Sequence, residues 1–252
     1  MRYRIAVIEN KLFEPLYINC LERDLLIKTT EEKVSELLLN TRVEIAMMTP
    51  LSFAKISKKG DWRILPTTVL ATKGYSELLT LSFKQNMKTL DHIYFEDASE
   101  YLISIAKILL AEKYDIQTNI TNKAYSKEDF DAFISYFAKD AGKFTIDLSE
   151  EWFDTFEFPL PFVFWVVPAE IEDTKILLIT EEIKDNLLAK SEQIDEYEDE
   201  QSHISRSGEI IWRWNDEIEE AIDKTMDLLF YHHIIDDIPD TKVFGRDYSD
   251  DN

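Results

Sequence analysis

The sequence predicts an α/β fold, and three observations carry that prediction. Short apolar strands alternate with capped amphipathic helices, as where Asp24 to Thr29 runs into Thr30-Glu-Glu-Lys-Val-Ser-Glu-Leu-Leu-Leu39. Phe162 to Val167 is a continuous apolar run with no polar face, which suits a strand covered on both sides. The chain has 252 residues, 45% of them hydrophobic, enough for one large α/β domain or two lobes of ordinary size.

Residues 4 to 9 read as the first strand. After Asn10, the Phe13-Glu-Pro-Leu-Tyr17 segment enters a helix with Pro15 in its first turn, where a missing N–H costs nothing. The helix after Thr30 carries Val34, Leu37 and Leu38 on one face, with the threonine as its cap. Val43 to Ala54 is a strand ending at Thr49, followed by a helix opening on Pro50. Residues 63 to 72 and 77 to 83 are two strands joined through Lys73-Gly-Tyr-Ser76. His92 to Asp97 is a strand, and Ser99 to Tyr114 is a helix with apolar residues at 102, 105, 106, 109 and 110, capped by Asp97 or Ser99.

Asp115 to Ile120 is expected to form a strand, Ser126 to Asp129 a helical turn, and Phe130 to Ala138 a further strand. Thr145 to Leu148 alternates as a short strand, with Ser149 opening a helix that has acids in its first turn. Phe158-Pro-Leu-Pro161 bars helix and leads into the covered strand. Beyond it the chain is expected to be helical over Thr180 to Lys190 and again from Ser207 to about His233. Asp195 to Glu200 then serves as an acidic linker or helix end.

Composition narrows the function classes. Acidic side chains number 50 against 28 basic ones, a formal charge of −22, which opposes nucleic acid and anionic membrane surfaces as partners. Cys20 is the single cysteine, so no intramolecular disulfide forms, and a buried small hydrophobe is its expected role. No metal-ligand set, phosphate-binding glycine loop or Ser/His/Asp arrangement is present, so neither a metal nor another cofactor is expected. Met1 runs directly into a strand pattern without a signal-peptide h-region, and a cytoplasmic protein is expected.

The order of residues from 145 to 170 carries a resemblance. A short strand, Asp147-Leu-Ser-Glu-Glu-Trp152, a spacer, Leu160-Pro-Phe-Val-Phe and Trp165-Val-Val167 together resemble the MqnA/MqnD family of menaquinone-biosynthesis proteins, more closely its MqnA (chorismate dehydratase) branch. Thr49-Pro-Leu-Ser-Phe-Ala54 is similar to that family's first ligand loop. The histidine expected of the MqnD branch is absent between His92 and His203. The resemblance implies a fold like the type 2 periplasmic solute-binding proteins, with a ligand cleft between two lobes. Lobe 1 would take residues 1–85, lobe 2 residues 86–160, and residues 161–252 would return to lobe 1 with C-terminal helices.

It also implies a substrate position lined by Asn10, Thr49, Ser76 and Ser99, while no catalytic residue is indicated. The Asp131-Ala132 pair and Lys139-Asp-Ala-Gly142 are nearest to two further family features. Departures accompany the match. Asn10 lies farther from Pro15 than in the family pattern, and acids flank Ser99. A turn role serves Asn10 and Ser76 equally, and a plain helix cap serves Thr49. Two functions therefore stand side by side. One is an MqnA-like lyase acting on chorismate or a related small carboxylate; the other is a non-catalytic carboxylate-binding protein on the same fold.

Overall fold

The computed structural model describes residues 3–20, 25–85, 88–95, 99–121, 130–137, 144–189, 192–198 and 205–246. The chain divides into two compact units. The first takes residues 1–71, 161–192 and 211–252, the second residues 72–160 and 193–210.

In the first unit, β1 (Ile5–Ile8) pairs in parallel with β2 (Leu26–Thr29) on one side and with β3 (Ile45–Met48) on the other. Each connection is long enough to place a helix against the sheet, as parallel pairing demands. α1 (Glu31–Leu39) follows β2 with Val34 and Leu38 buried, and α2 (Pro50–Ser57) follows β3. Both helices are capped by the expected threonine, since Thr30 accepts from the Lys33 amide and Thr49 from the Ser52 amide.

β4 (Trp62–Gly74) begins in this unit and ends in the second. The second unit then lays down β5 (Leu79–Phe83), β6 (His92–Phe95), α3 (Glu100–Tyr114), β7 (Asn119–Thr121), β8 (Ala132–Tyr136), β9 (Thr145–Asp147) and α4 (Leu148–Phe156). Its sheet runs in the order β7-β6-β8-β5-β9, with α3 and α4 packed on each other.

The chain returns through β10 (Leu160–Pro168), which pairs antiparallel with β3 and is buried from Leu160 through Val167. It is the covered strand that its unbroken apolar run predicts. α5 (Lys175–Ile183), β11 (Glu192–Glu198), β12 (Ser205–Arg213) and α6 (Asp216–Tyr231) follow, and the larger sheet reads β11-β12-β4-β10-β3-β1-β2. α6 buries Ile218, Ala221, Ile222, Thr225, Met226 and Leu229 and packs against α2.

Several expectations are corrected here. Ser207 to Arg213 is strand rather than helix. Asn215 is the cap of α6, accepting from the Ile218 amide, and the buried run of Ile210, Ile211 and Trp212 belongs to β12. The first part of the acidic stretch is the edge strand β11, where charge discourages pairing with another chain. α5 starts at Lys175 and ends at Ile183, so the expected helix from Thr180 is displaced toward the N-terminus, and Asn186–Ala189 is a separate 3₁₀ turn. Asp115 is the left-handed cap of α3, leaving only Asn119–Thr121 as strand. α4 is capped by Asp147 instead of Ser149, and Cys20 is half-buried. Asp97, the Ser126 to Asp129 turn and the Lys139 to Gly142 turn lie outside the described residues.

The end of β4 meets β12 with no room for a side chain. A Cβ built on Gly208 would stand 1.9 Å from the Tyr75 carbonyl oxygen and 2.5 Å from its nitrogen, while the Tyr75 amide donates to the Ser207 carbonyl at 3.1 Å. Gly208→Ala must therefore push two backbones apart. We expect it to destabilise the chain by about 2–3 kcal/mol, the range of overpacking. A lowered urea midpoint followed by tryptophan fluorescence is the check.

Candidate functional site

In the first unit the parallel strands β2, β1 and β3 end along one edge, and this edge carries two of the expected ligand residues. Asn10 follows β1. Its Oδ1 accepts from the Leu12 amide at 2.8 Å, and its carbonyl accepts from Phe13 and Glu14, so the side chain builds the turn into the Glu14–Leu16 3₁₀ segment. Tyr17 lies beneath this turn with its hydroxyl donating to the Ile8 carbonyl at 3.3 Å, and burial pushes its phenol up to about 12.

Thr49 follows β3 and is buried, as is Ser52 one turn on. Their hydroxyls share one acceptor. Both Thr49 and Ser52 donate to Glu31 Oε1, Ser52 at 2.7 Å, and the two hydroxyls stand 3.1 Å from each other. Glu31 is the first residue of α1, at the end of β2. Because β1 lies between β2 and β3, this carboxylate reaches across the end of β1 to the amino end of α2. A helix amino end stabilises negative charge, so Glu31 rests where the field of α2 favours it.

In the second unit the strand directions again collect one edge. β5 runs antiparallel to β8 and β9, and β6 runs parallel to β8, so the start of β5 and the ends of β6, β8 and β9 coincide. Ser76 precedes β5 and Ser99 follows β6, which places both on this edge together with Asp147 at the end of β9. The helices α3 and α4 also begin here. Ser99 caps α3, accepting from the Leu102 amide at 3.4 Å.

Ser76 donates to Ser149 Oγ at 3.0 Å and accepts from the Leu78 amide. Asp147 organises everything around it. Oδ1 accepts from the Ser149 and Glu150 amides at 2.9 and 3.0 Å, and Oδ2 from the Ser76 and Glu77 amides at 3.3 and 2.6 Å. One carboxylate thus caps α4 and ties down the turn that leaves β4. Burial pushes the Asp147 carboxyl up to about 6, against the pull of these four amides on the charged form. Arg206 stacks over the Tyr75 ring at 5.3 Å and pairs with Glu150 at 3.5 Å, closing the cluster on its charged side.

Glu31 and Asp147 are the two residues that the sequence reading missed as members of these edges. Asp147-Leu-Ser-Glu150 has the spacing of a capping box, a signal that was open to sequence reasoning. Glu31 reads only as a first-turn acid, since its partners come from a different helix. Among the described residues no three His, Cys, Asp or Glu side chains gather closely enough to hold a metal ion. Asp147 is enclosed and saturated by amides, so it has no geometry for taking a proton from a substrate.

No protein-family model matches the chain, and no curated protein matches it in sequence. Solved structures do. A protein of Archaeoglobus fulgidus, AF1704, aligns with TM-score 0.59 at 10% identity over 92% of this chain and 98% of its own. The periplasmic aliphatic sulphonate binding protein SsuA of Escherichia coli aligns with TM-score 0.55 at 11% identity, over 98% of this chain and 95% of its own. The fold is periplasmic-binding-protein-like. A structure described as an ABC transporter from Parabacteroides distasonis is similar to it as well, with TM-score 0.59 at 11% identity over 97% of this chain and 98% of that one. At these identities the likeness defines the fold alone, a mixed α/β chain of two units. Among the described residues no helix is long and apolar enough to cross a membrane.

Proposed function

We propose that the chain is a small-molecule binding protein whose ligand carries a carboxylate and is an aromatic or enolpyruvyl acid of the chorismate class. The observation that supports binding is topological. In each unit, two helices begin at the edge where the expected ligand residues lie, Asn10 and Thr49 in one and Ser76 and Ser99 in the other. In α/β sheets ligands settle at such edges, where free N–H groups and small hydroxyls face outward.

What favours binding over catalysis is the engagement of these side chains. Asn10 holds a turn, Thr49 donates to Glu31, Ser76 donates to Ser149, and Ser99 caps α3. The carboxylate beside Thr49, that of Glu31, is itself held by the Thr49 and Ser52 hydroxyls. The MqnA-like lyase of menaquinone biosynthesis is kept as a second reading because of the order of Trp152, Pro161 and Trp165 and the place of Thr49 at the end of β3.

Purified protein incubated with chorismate separates the two. A raised melting temperature with chorismate recovered intact supports binding. Loss of one water, read by mass spectrometry and ultraviolet absorbance, establishes the lyase. Neither outcome, at ligand concentrations that saturate related binding proteins, rejects chorismate as the ligand. Where chorismate binds, Ser99→Ala is expected to weaken it by about 1–2 kcal/mol, the scale of a hydrogen bond to a charged group, as measured by calorimetric titration.

A further inference from the structure

At the opposite edge of the first unit's parallel strands, where β1 begins, Arg4, Lys33 and Arg42 stand around an open groove of about 600 Å³. Glu36, Leu37, Asn40 and Thr41 complete its walls. Three cations against one acid is an unusual lining in a chain whose formal charge is −22.

The acceptors around this groove are already engaged. The last carbonyls of a helix ordinarily make its end negative. Here the carbonyls of Glu36, Leu37 and Leu38 accept from the amides of Asn40, Arg42 and Thr41 at 3.0, 2.9 and 3.0 Å, and the Thr41 carbonyl accepts from Arg4 Nη2 at 3.2 Å. The nearby Glu44 carboxylate accepts from the Arg4 amide and from Arg4 Nε and Nη2, and Glu36 Oε2 pairs with Lys33 at 2.6 Å.

The donors are left over. Arg42 engages its backbone amide, but among the described residues its guanidinium forms no ion pair. Its five N–H groups form a rigid fork that matches the oxygens of a phosphate, and Arg4 Nη1 and the Lys33 ammonium add donors on the same walls. The volume suits a whole small molecule rather than one inorganic ion. Leu37 is the single apolar side chain on the walls, and no aromatic ring is there to stack on a base. Asn40 and Glu36 Oε1 instead offer polar partners to ligand hydroxyls.

We infer that this groove is a separate binding site for a phosphate monoester of a polyhydroxylated small molecule, with Arg42, Arg4 and Lys33 as its phosphate-binding cations. It goes beyond the carboxylate reading and does not depend on it, since Arg4 precedes β1 whereas Asn10 follows it.

The test titrates the native chain, Arg42→Ala and Arg42→Lys with glucose 6-phosphate by calorimetry at fixed ionic strength. Inorganic phosphate and glucose are the comparison probes. Lys224→Ala, which removes a cation of α6 paired with Glu220, controls for general charge. Arg42 is exposed, so neither of its substitutions disturbs the core. Glucose 6-phosphate should bind the native chain, inorganic phosphate several-fold more weakly and glucose not at all. Arg42→Ala should lower the affinity for glucose 6-phosphate about tenfold, the equivalent of one hydrogen bond to a charged group. Arg42→Lys should keep part of it, because the charge stays and the fork is lost. Lys224→Ala should bind as the native chain does.

Absence of glucose 6-phosphate binding by the native chain overturns the inference. So does equal affinity in the native and Arg42→Ala chains, or an equal loss in Lys224→Ala, which would reduce the effect to overall charge. Inorganic phosphate binding as tightly as glucose 6-phosphate overturns the assignment of an ester.

Discussion

Trp165→Ala is expected to destabilise the chain by about 3–5 kcal/mol, the range for removing a buried aromatic side chain. Trp165 has no exposed surface, sits in the middle of β10 opposite Met47 of β3, and donates its indole N–H to the Thr68 hydroxyl at 2.8 Å. Phe164 beside it points an edge contact at Phe53 of α2, with centroids 5.7 Å apart, so β10 is clamped between its neighbours on both faces. Truncation leaves a cavity and strands the fully buried Thr68 hydroxyl. Trp165→Phe separates the two costs, since most of the volume remains and only the hydrogen bond is lost, at about 1–2 kcal/mol. Adding Thr68→Val to Trp165→Phe should recover part of that. Urea midpoints of the three variants check the partition; equal midpoints for Trp165→Ala and the native chain would contradict the packing.

Asp147→Ala carries the other large effect. It leaves the amides of Ser76, Glu77, Ser149 and Glu150 without their acceptor, and α4 without its cap. A lost cap and stranded buried donors together cost about 3–5 kcal/mol. Asp147→Asn keeps one acceptor oxygen and should lose less. It also removes the titration, which gives a pH signature. Burial pushes the Asp147 carboxyl up from the ordinary aspartate value to about 6, so folding takes up a proton in that window. The contribution of this group to stability accordingly rises as pH falls through about 6 and is complete below about 4. Measured against Asp147→Asn, the native chain should gain stability between pH 7 and 4. A difference that stays flat across that range would show that the four amides cancel the effect of burial.

Much of the fold is legible in the sequence because its signals are local. Thr30 and Thr49 announce α1 and α2, Ser99 announces α3, and the polar-free run after Pro161 announces a covered strand. The neighbouring strands β11 and β12 escape sequence reasoning for a physical reason. Only two residues separate Arg213 at the end of β12 from Asp216 at the start of α6, so the apolar end of the strand runs into the amphipathic helix, and the acidity of Glu192 to Glu198 hides an edge strand. The candidate edges were half legible. Thr49, Ser76 and Ser99 stand at strand or helix ends, where short-range rules can find them. The carboxylates that engage Thr49 and surround Ser76 come from positions far along the chain, and no window of sequence contains both partners.

The left-handed ends of α3 and α4 have a bearing on what shaped this chain. Asp115 closes α3 at φ 54° and Glu157 closes α4 at φ 60°, positions where glycine is the usual occupant, in a sequence that contains five glycines in all. Each non-glycine residue held there costs about 1–2 kcal/mol, and a negative side chain at a helix carboxyl end adds repulsion. Replacing either acid by glycine would make a more comfortable molecule. Thr41 after α1 and His233 after α6 take the same left-handed conformation, so what these helix ends share is the want of a glycine rather than a charge, and each is a place where glycine would relieve strain.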